Sequence, residues 1–478
     1  MSPHNYYPVT APSSSCPTPA GISPSQSPSI NHWTTPGPAS SDVRIPPSHS
    51  PQNRKEREEN KENHHAHPHH HHHTPPNTRG GERKSPNRRP PKAPPPTKPQ
   101  PQPRTANPKK PPRARPPKTQ LTKQTQFRSD TITTPTASML AAIASTTLGD
   151  DVFHEDATTN ALQSWIASLL GKPAALLVMS GTMGNQVALR THLGGPPHSV
   201  LCDHRAHILR AEAGGVAALC GAQIEGVFPS NGSYLTLEDV QANAVLGDDV
   251  HGCPTRVVEL ENTLGGAVMP LAEMQRIGAW ARENGVITHL DGARLWEAVA
   301  AGHGTLAEYA ACVDSVQLCF SKGLGAPMGS IIVGSEAFVK RARWIRKSIG
   351  GGIRMAGVVS AAARTAVEEQ FVGGRLVRTH EQARRLAEKW EGLGGVLSVP
   401  TETNMVWLDV KKSGVEAADI MRLAAEKGIK TFGTRIVVHY QISELAMRGM
   451  EEVMEVVMGK KGAAAAAAAP ETNGTEGA

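Results

Sequence analysis

The amino-acid sequence predicts an α/β fold built on a mostly parallel sheet, followed by a smaller C-terminal α+β domain. Three observations carry this prediction. Short apolar runs of strand length recur along the chain, amphipathic helical stretches separate several of them, and the pattern changes after about residue 373. Alternation of strands and helices is typical of a parallel sheet covered by helices on both faces. The 352 residues that follow residue 126 are enough to bury a large core.

The elements follow in a regular order. Apolar residues recur at helical spacing over 161–170, an apolar run at 174–179 predicts a buried strand, and a second helix follows over 183–192. The remaining elements predicted for the large domain are strands at 257–260, 286–290, 315–320 and 330–333, and a helix at 271–283. Those predicted for the small domain are helices at 376–390, 415–426 and 443–457, and strands at 396–399, 405–410 and 435–440.

The first 126 residues differ in composition from the rest. They hold 29 of the 39 prolines and 19 Lys and Arg against 6 Asp and Glu, a net charge of +13. The remaining residues hold 31 Lys and Arg against 37 Asp and Glu, a net charge of −6. The basic composition of the chain therefore describes this leader, and gives no argument that the folded body binds nucleic acid. Such a segment cannot bury enough surface to offset its chain entropy.

Four regions follow from these patterns. We expect a disordered Pro/His/basic leader over 1–126, a large α/β domain over 127–373, a small domain over 374–460 and a disordered Ala-rich tail over 461–478. No apolar run is long enough to span a bilayer, and the N-terminus lacks the layout of a signal peptide. Six cysteines without a CxxC pair indicate free thiols in a reducing compartment. We therefore expect a cytoplasmic protein with no membrane partner.

Polar residues stand where predicted strands end. Ser180-Gly181-Thr182 joins a strand to a helix, a place where backbone N–H groups can hold a phosphate. Asp291 ends a second strand. Lys322 follows a third strand between small residues, where an amine can form an imine with an aldehyde. Each segment also has an ordinary explanation when taken alone: a common strand–helix turn, a helix N-cap and a surface lysine.

The combination is more specific than its parts. A phosphate turn, then Asp291, then Lys322 31 residues further on, is the layout that a pyridoxal 5'-phosphate enzyme needs. The helix end holds the phosphate, the aspartate keeps the pyridine nitrogen protonated, and the lysine binds the aldehyde carbon. The sequence therefore predicts pyridoxal 5'-phosphate as the cofactor, and we expect no metal ion.

The motifs as a set resemble those of the low-specificity L-threonine aldolase family, in register from Phe127 to about Gly459. The motifs are Arg128-Ser129-Asp130-Thr131, Gly149-Asp150-Asp151-Val152-Phe153, Ser180-Gly181-Thr182, Glu212-Ala213-Gly214-Gly215, Glu261-Asn262-Thr263, Asp291-Gly292-Ala293-Arg294, Ser321-Lys322-Gly323-Leu324-Gly325-Ala326-Pro327, Gly351-Gly352-Ile353-Arg354 and Thr403-Asn404-Met405. Fungal members of the family are similar to this chain at Glu-Asn-Thr-Leu and at Val-His-Tyr-Gln.

The resemblance implies a fold-type-I enzyme that cleaves L-threonine or L-allo-threonine to glycine and acetaldehyde. It implies a homodimer or homotetramer with shared active sites. His207 would stack on the cofactor ring, and Arg294 would be among the cofactor-binding residues. Arg354 would reach a phosphate, that of a neighbouring subunit. Arg435, helped by Ser129, would bind the carboxylate of a β-hydroxy-α-amino acid.

Two departures leave the base for the substrate hydroxyl open. Leu264 stands where bacterial members carry a histidine, and Phe153 stands where the family often has a tyrosine. We weigh equally a role for His207, or for a water that it orients, in proton transfer and a role in ring stacking alone. His289 and His439 are assigned to packing.

Other functions remain open at this point. An amino-acid racemase or a β-eliminating lyase would share the phosphate turn, the aspartate and the lysine, so the fold does not separate these reactions. A different class of role is binding of RNA or other acidic partners by the basic leader, which would fall steeply with salt. We rank this below a solvated tail.

Overall fold

The computed structural model describes the backbone of residues 123–468 and the side chains up to Gly459. Residues 1–122 of the predicted leader and 469–478 of the predicted tail lie outside the described residues. The last four leader residues belong to the folded body, since Gln126 is buried and pairs with Lys430. The last helix continues to Ala468, into the predicted tail. Alanine has the highest helix propensity, which accounts for this continuation.

Nine strands and fourteen α-helices make up the described part of the chain. The strands are β1 Ala174–Val178, β2 Ser199–Asp203, β3 Gln223–Val227, β4 Thr255–Glu261, β5 Ile287–Asp291, β6 Ser315–Cys319, β7 Ser330–Gly334, β8 Met405–Trp407 and β9 Arg435–Val437. The helices are α1 Ala137–Ala144, α2 Ala157–Leu169, α3 Gly181–His192, α4 His207–Arg210, α5 Leu237–Asn243, α6 Leu271–Glu283, α7 Leu295–Ala300, α8 Leu306–Ala311, α9 Glu336–Ser348, α10 Gly357–Ala366, α11 Arg375–Gly392, α12 Val410–Ser413, α13 Ala417–Glu426 and α14 Glu444–Ala468.

Seven strands form one sheet in the order β1-β7-β6-β5-β4-β2-β3. Strand β7 is antiparallel to both of its neighbours, and the other pairings are parallel. Six strands therefore run in one direction, and their carboxyl ends lie along a single edge of the sheet. The predicted α/β class with a mostly parallel sheet is confirmed. Ligands bind beyond this edge in folds of this kind.

Both faces of the sheet are covered by helices, as the alternation of side chains in β1 illustrates. Leu176 packs with Val187 of α3 and Phe338 of α9. Its neighbour Leu177 packs in the cluster that contains Leu162 of α2. Successive residues of a strand point to opposite faces of the sheet. Because two successive residues of β1 are both buried, helices must cover both faces. This explains why β1 is an unbroken apolar run rather than an alternation of apolar and polar residues.

A second hydrophobic cluster brings together α11, α13 and α14 with the two-stranded sheet of β8 and β9. Phe127, which we had assigned to the large domain, is fully buried in this cluster. The backbone on either side of it is also held, since Phe127 N–H donates to Lys430 O at 2.8 Å and Val437 N–H donates to Phe127 O at 2.8 Å. The domain limits themselves remain predictions.

The strands of the structure differ from the predicted strands at several places. Strands β2 and β3 were not predicted, and residues 396–399 form only an isolated bridge between Leu397 and Leu408. Strand β3 lies at the edge of the sheet and contains a glutamate and a glycine, so it lacks the apolar run that marks the others. Among residues 123–468, no helix combines the length and the apolar composition required to cross a bilayer.

These contacts predict where the chain can be shortened. A chain that begins at Lys123 should keep the melting temperature and the turnover of the full chain, because the body is anchored from residue 124 onwards. Phe127→Ala in that shortened chain should lower the free energy of unfolding by about 3–5 kcal/mol, the usual cost of emptying a buried phenylalanine site. Thermal unfolding and a turnover assay test the shortened chain. Urea unfolding measures the free energy of unfolding with and without Phe127→Ala. A large loss in the first variant would mean that residues before 123 pack on the body.

Candidate active site

The first candidate segment lies where β1 leads into α3. Ser180 Oγ accepts a hydrogen bond from Met183 N–H at 3.1 Å and so caps the helix. A Cβ atom at Gly181 would stand 2.8 Å from Cys319 Sγ, too close for any side chain. Thr182 follows in the first turn. The first-turn N–H groups and the positive end of the helix dipole form a place for an anion at the carboxyl edge of the sheet.

Asp291 is the last residue of β5 and only 2 % of it is exposed. Its Oδ1 accepts from Ala293 N–H at 3.0 Å, and its Oδ2 accepts from the side-chain amide of Asn185 at 2.7 Å. Both donors are neutral. Among residues 123–459, no lysine or arginine forms an ion pair with Asp291. A buried carboxylate needs an opposite charge, so this site is suited to a cationic ligand.

His207 opens α4 close to this carboxylate. Its Nδ1 lies 2.8 Å from Glu212 Oε1, and its backbone N–H donates to Glu261 Oε2 at 2.8 Å. One ligand atom each of His207, Glu212 and Asp291 lie within 4.8 Å of one another. Because a carboxylate only accepts, the hydrogen bond assigns a proton to Nδ1. The neutral ring therefore keeps Nε2 as its proton acceptor.

The electrostatics of His207 and Glu261 are linked. The hydrogen bond to Glu212 raises the pKa of His207 above its usual value, and this outweighs the lowering by burial, with the negative charge of Asp291 adding to it. Burial raises the pKa of Glu261 to about 7, and the charge of Asp291 adds to this, whereas His207 and Lys322 oppose it. The pKa values of two groups beside Asp291 are thus both raised, which is common at functional sites.

Lys322 lies three residues beyond β6 at the same edge, and its backbone carbonyl accepts from Thr133 Oγ1 at 3.0 Å. Its charge acts on Asp130, which is fully buried. Burial tends to raise the pKa of Asp130, but the charge and hydrogen bonds of Arg294, helped by Lys322, hold that pKa well below its usual range. The charge of Lys322 also lowers the pKa of Glu261, so it acts on two carboxyl groups of the site.

Arg294 is engaged by Asp130 through two hydrogen bonds, from Nε at 2.8 Å and from one Nη at 2.7 Å. This bidentate pair ties the turn after β5 to the N-terminal segment of the body. The predicted contact of Arg294 with the cofactor remains a prediction. What the structure adds is a positioning role, because the pair holds residues 129–131 beside the sheet edge.

The two residues predicted to bind a substrate carboxylate meet at that segment. Arg435 begins β9, and its Nη2 donates to Arg128 O at 3.0 Å. Its guanidinium also lies 5.6 Å from the centre of the Trp407 ring. Ser129 caps the 3₁₀ turn Asp130–Ile132 by accepting from Thr131 N–H at 3.2 Å. The backbone between Arg128 and Asp130 therefore connects Arg435 to the Arg294 pair.

Arg354 lies apart from these groups. Its side chain is 56 % exposed and its Nη1 donates to Asp150 Oδ2 at 2.7 Å. Phe153, in the same segment as Asp150, is 68 % exposed. The predicted contact of Arg354 with a phosphate, that of a neighbouring subunit, remains a prediction.

Four residues of the site were not predicted as site residues. Asn185, Glu212 and Glu261 form hydrogen bonds around Asp291 and His207, and Asp130 holds Arg294. From the sequence, each of them was identified only as part of a motif or a turn. A polar residue at the carboxyl end of a strand is a usable signal, and Glu261, the last residue of β4, fits it.

The residues fit the cofactor that the resemblance implies. A pyridinium nitrogen supplies the positive charge that buried Asp291 lacks, and a phosphate suits the N-terminus of α3 above Gly181, where a Cβ would have no room. Lys322 is the amine at the same edge. His207 offers a flat ring beside Asp291.

Comparisons with known proteins agree with this geometry. Residues 126–413 match the family described as beta-eliminating lyase. The chain is 58% identical to "Aldolase vrtJ" of Penicillium aethiopicum over 69% of this chain and 84% of that protein. It is 45% identical to "Alanine racemase TOXG" of Cochliobolus carbonum, over 70% and 87%. It is 44% identical to "Low specificity L-threonine aldolase" of Saccharomyces cerevisiae, over 68% and 84%.

The fold is also that of a solved structure. The chain is similar to the threonine aldolase of Leishmania major with a TM-score of 0.60 and 21% identity. The match covers 70% of this chain and 99% of that one. At this identity the likeness shows the fold alone.

The hydrogen bond at Nδ1 yields a test that needs no substrate. Glu212→Gln should lower the pKa of His207, because a neutral amide replaces the carboxylate that stabilises the charged ring. An NMR titration of the His207 ring protons in both proteins measures the change. The exposed His251, which pairs with Asp249, provides a control resonance. A His207 pKa that stays the same in the variant would show that Glu212 does not set it.

Proposed function

The chain belongs to the beta-eliminating lyase family, and from that premise we propose that it is a pyridoxal-phosphate-dependent aldolase that cleaves L-threonine and L-allo-threonine to glycine and acetaldehyde. The observation that carries the proposal is the buried Asp291, held by neutral donors at the edge that also carries Lys322 and the N-terminus of α3. The names of the fungal relatives support the aldol reaction.

Three parts of the chain would hold the cofactor. The backbone of Ser180, Gly181 and Thr182 would bind the phosphate, Asp291 would pair with the pyridinium nitrogen, and Lys322 would bind the aldehyde carbon. When bound, pyridoxal 5'-phosphate supplies an electron sink for the bond that breaks at Cα. The protein has to select that bond and move the protons.

Arg435 and Ser129 would select the bond. A guanidinium binds a carboxylate through two parallel hydrogen bonds, which fixes the rotation of the amino acid about Cα. With amine and carboxylate both held, the L and D configurations point Cβ to opposite faces of the conjugated system, so only one of them would present the hydroxyl to the group that takes its proton. The interactions of Arg435 with Arg128 O and Trp407 support this role, because they hold the guanidinium in one place.

His207 is suited to take the proton from the β-hydroxyl. Its Nδ1 is committed to Glu212, so Nε2 accepts. Only the neutral ring can act, and the raised pKa means that the neutral fraction grows as pH increases past neutrality. The rate should therefore rise with pH until His207 is deprotonated. Glu261, with a pKa of about 7, accepts from the His207 backbone N–H and would be a second group able to hold a proton beside the site.

The second candidate function is amino-acid racemisation, favoured by the 45% identity to "Alanine racemase TOXG". That reaction breaks the Cα–H bond instead of the Cα–Cβ bond and uses the same phosphate site, aspartate and lysine. The product decides: glycine and an aldehyde, or the D-enantiomer. Chiral chromatography after incubation with L-alanine and with L-threonine separates the two.

The assembly that we propose is a homodimer or homotetramer with shared active sites. Arg354 and Phe153 support it, because a charged and an aromatic side chain both stand exposed on two segments that the Arg354–Asp150 ion pair joins. Arg354 would then complete the phosphate site of a second copy. We also propose a cytoplasmic location, from the free thiols expected in a reducing compartment.

Replacing Lys322 tests the cofactor assignment. Lys322→Ala should abolish threonine cleavage, and borohydride should no longer trap the cofactor on the protein, because the only amine assigned to the aldehyde is gone. Peptide mapping of the reduced wild-type protein should locate the label at Lys322. The exposed Lys340 on α9 serves as the matched control, since Lys340→Ala should change neither result. Wild-type turnover by Lys322→Ala would refute the assignment.

An apolar residue at position 264 predicts weak discrimination between the two epimers. Leu264 follows β4 at the carboxyl edge and offers an apolar side chain, so one imidazole must meet the hydroxyl of either epimer. The kcat/KM values for L-threonine and L-allo-threonine should differ by less than about a hundredfold.

Leu264→His should change that ratio, with the exposed Leu246→His as control. Steady-state kinetics on both epimers measure it. A ratio beyond a hundredfold in the wild type would contradict weak discrimination between the epimers. An unchanged ratio in Leu264→His would show that position 264 does not face the hydroxyl.

A further inference from the structure

A chain of buried polar side chains leads away from Asp291 into the sheet. Asn185 Oδ1 lies 3.2 Å from His289 Nε2, and His289 Nδ1 lies 2.8 Å from Ser315 Oγ. Ser315 Oγ lies 2.7 Å from His192 Nε2. Asn185, His289 and Ser315 are each fully buried. The sequence suggested only packing for His289, and the structure adds a polar partner at each of its ring nitrogens.

The acceptors at one end determine every donor along this chain. The amide atom of Asn185 that lies 2.7 Å from Asp291 Oδ2 and 2.9 Å from Glu212 Oε1 must be nitrogen, because carboxylates only accept. The other amide atom is the oxygen, which accepts from His289 Nε2. Burial lowers the pKa of His289 to about 3, so the ring carries a single proton, and that proton is on Nε2.

The remaining bonds follow from that tautomer. His289 Nδ1 is an acceptor, so Ser315 Oγ donates to it. Burial also lowers the pKa of His192, to about 4, and its Nε2–H donates to Ser315 Oγ. The ring of His192 is stacked on Phe338 at 4.6 Å, which holds its orientation. All the hydrogen bonds run in one direction, from His192 towards Asp291.

We propose that His289 is a positioning residue: its Nε2–H holds the Asn185 amide with the NH₂ group towards Asp291 and Glu212, and so keeps Asp291 ready to bind the pyridinium nitrogen. This deepens the proposed function and rests on the cofactor assigned there. Without the donor at Nε2, the amide can turn by half a rotation about its last bond. Its oxygen would then face the Asp291 carboxylate, and two acceptors would repel each other.

A ligand-binding measurement on the full chain tests this. The protein is freed of cofactor and titrated with pyridoxal 5'-phosphate, and the dissociation constant is read from absorbance. His289→Asn is too short to reach Asn185, and should raise the dissociation constant about ten- to a hundredfold, the usual effect of losing a hydrogen bond in a charged network. His289→Gln places an amide N–H near the position of Nε2 and should stay within about threefold of the wild type.

The matched control is another buried histidine outside this chain. His198 is 2 % exposed, and its Nε2 lies 3.1 Å from Cys220 O. His198→Gln should leave the dissociation constant unchanged. Thermal unfolding of the cofactor-free variants reports the purely structural cost. The melting temperatures of His289→Asn and His289→Gln should differ less than their dissociation constants do.

Each outcome decides. An unchanged dissociation constant in His289→Asn, or equal losses in the Asn and Gln variants, would overturn the proposal. If His289→Asn does not fold, Ser315→Ala replaces it and should weaken binding by about threefold or more, because the ring is then free to place its proton on Nδ1. Wild-type protein that does not bind the cofactor would overturn both proposals, whereas binding without threonine cleavage would overturn only the aldolase reaction.

Discussion

The buried carboxylate of Asp291 is the group on which the rest of the site depends. Removing a charge from water costs several kcal/mol unless a partner offsets it. Here the described part of the chain supplies neutral donors, from Asn185 and the backbone of Ala293. The protein therefore carries a charge that a cationic ligand neutralises, and binding energy that would otherwise go into an internal ion pair is available for the ligand. The surrounding residues are arranged so that this charge persists.

Neighbouring acids adjust to that charge. Burial, with the charges of Asp291 and Glu261, raises the pKa of Glu259 well above its usual range, which favours the neutral form of this fully buried acid. Glu261 is neutralised near pH 7 for similar reasons. Glu212 instead shares its charge with His207. Negative charge is thus concentrated on Asp291 and Glu212, where a cation and an imidazole can use it.

The sequence located the parts of the site that follow directly from an apolar strand. Ser180, Asp291 and Lys322 each stand at or just beyond the carboxyl end of a buried strand, so local pattern was enough to find them. It did not reveal Asp130, whose partner Arg294 is 164 positions away, because such pairing is fixed only by tertiary packing. The same holds for His289, whose strand position suggested packing while its two nitrogens bind Asn185 and Ser315.

The two ends of the site along the sheet edge carry opposite charge. This determines the orientation of a ligand that has a negative group and a positive group. At one end, the first turn of α3 presents N–H groups and the positive end of a twelve-residue helix. At the other end stand Asp291 and Glu212. A phosphate placed beside these carboxylates would be repelled, and a pyridinium placed at the helix end would face a positive dipole. Only one orientation satisfies both ends. Lys322 follows β6, which the sheet order places between β1 and β5, and it would hold the aldehyde of the ligand there.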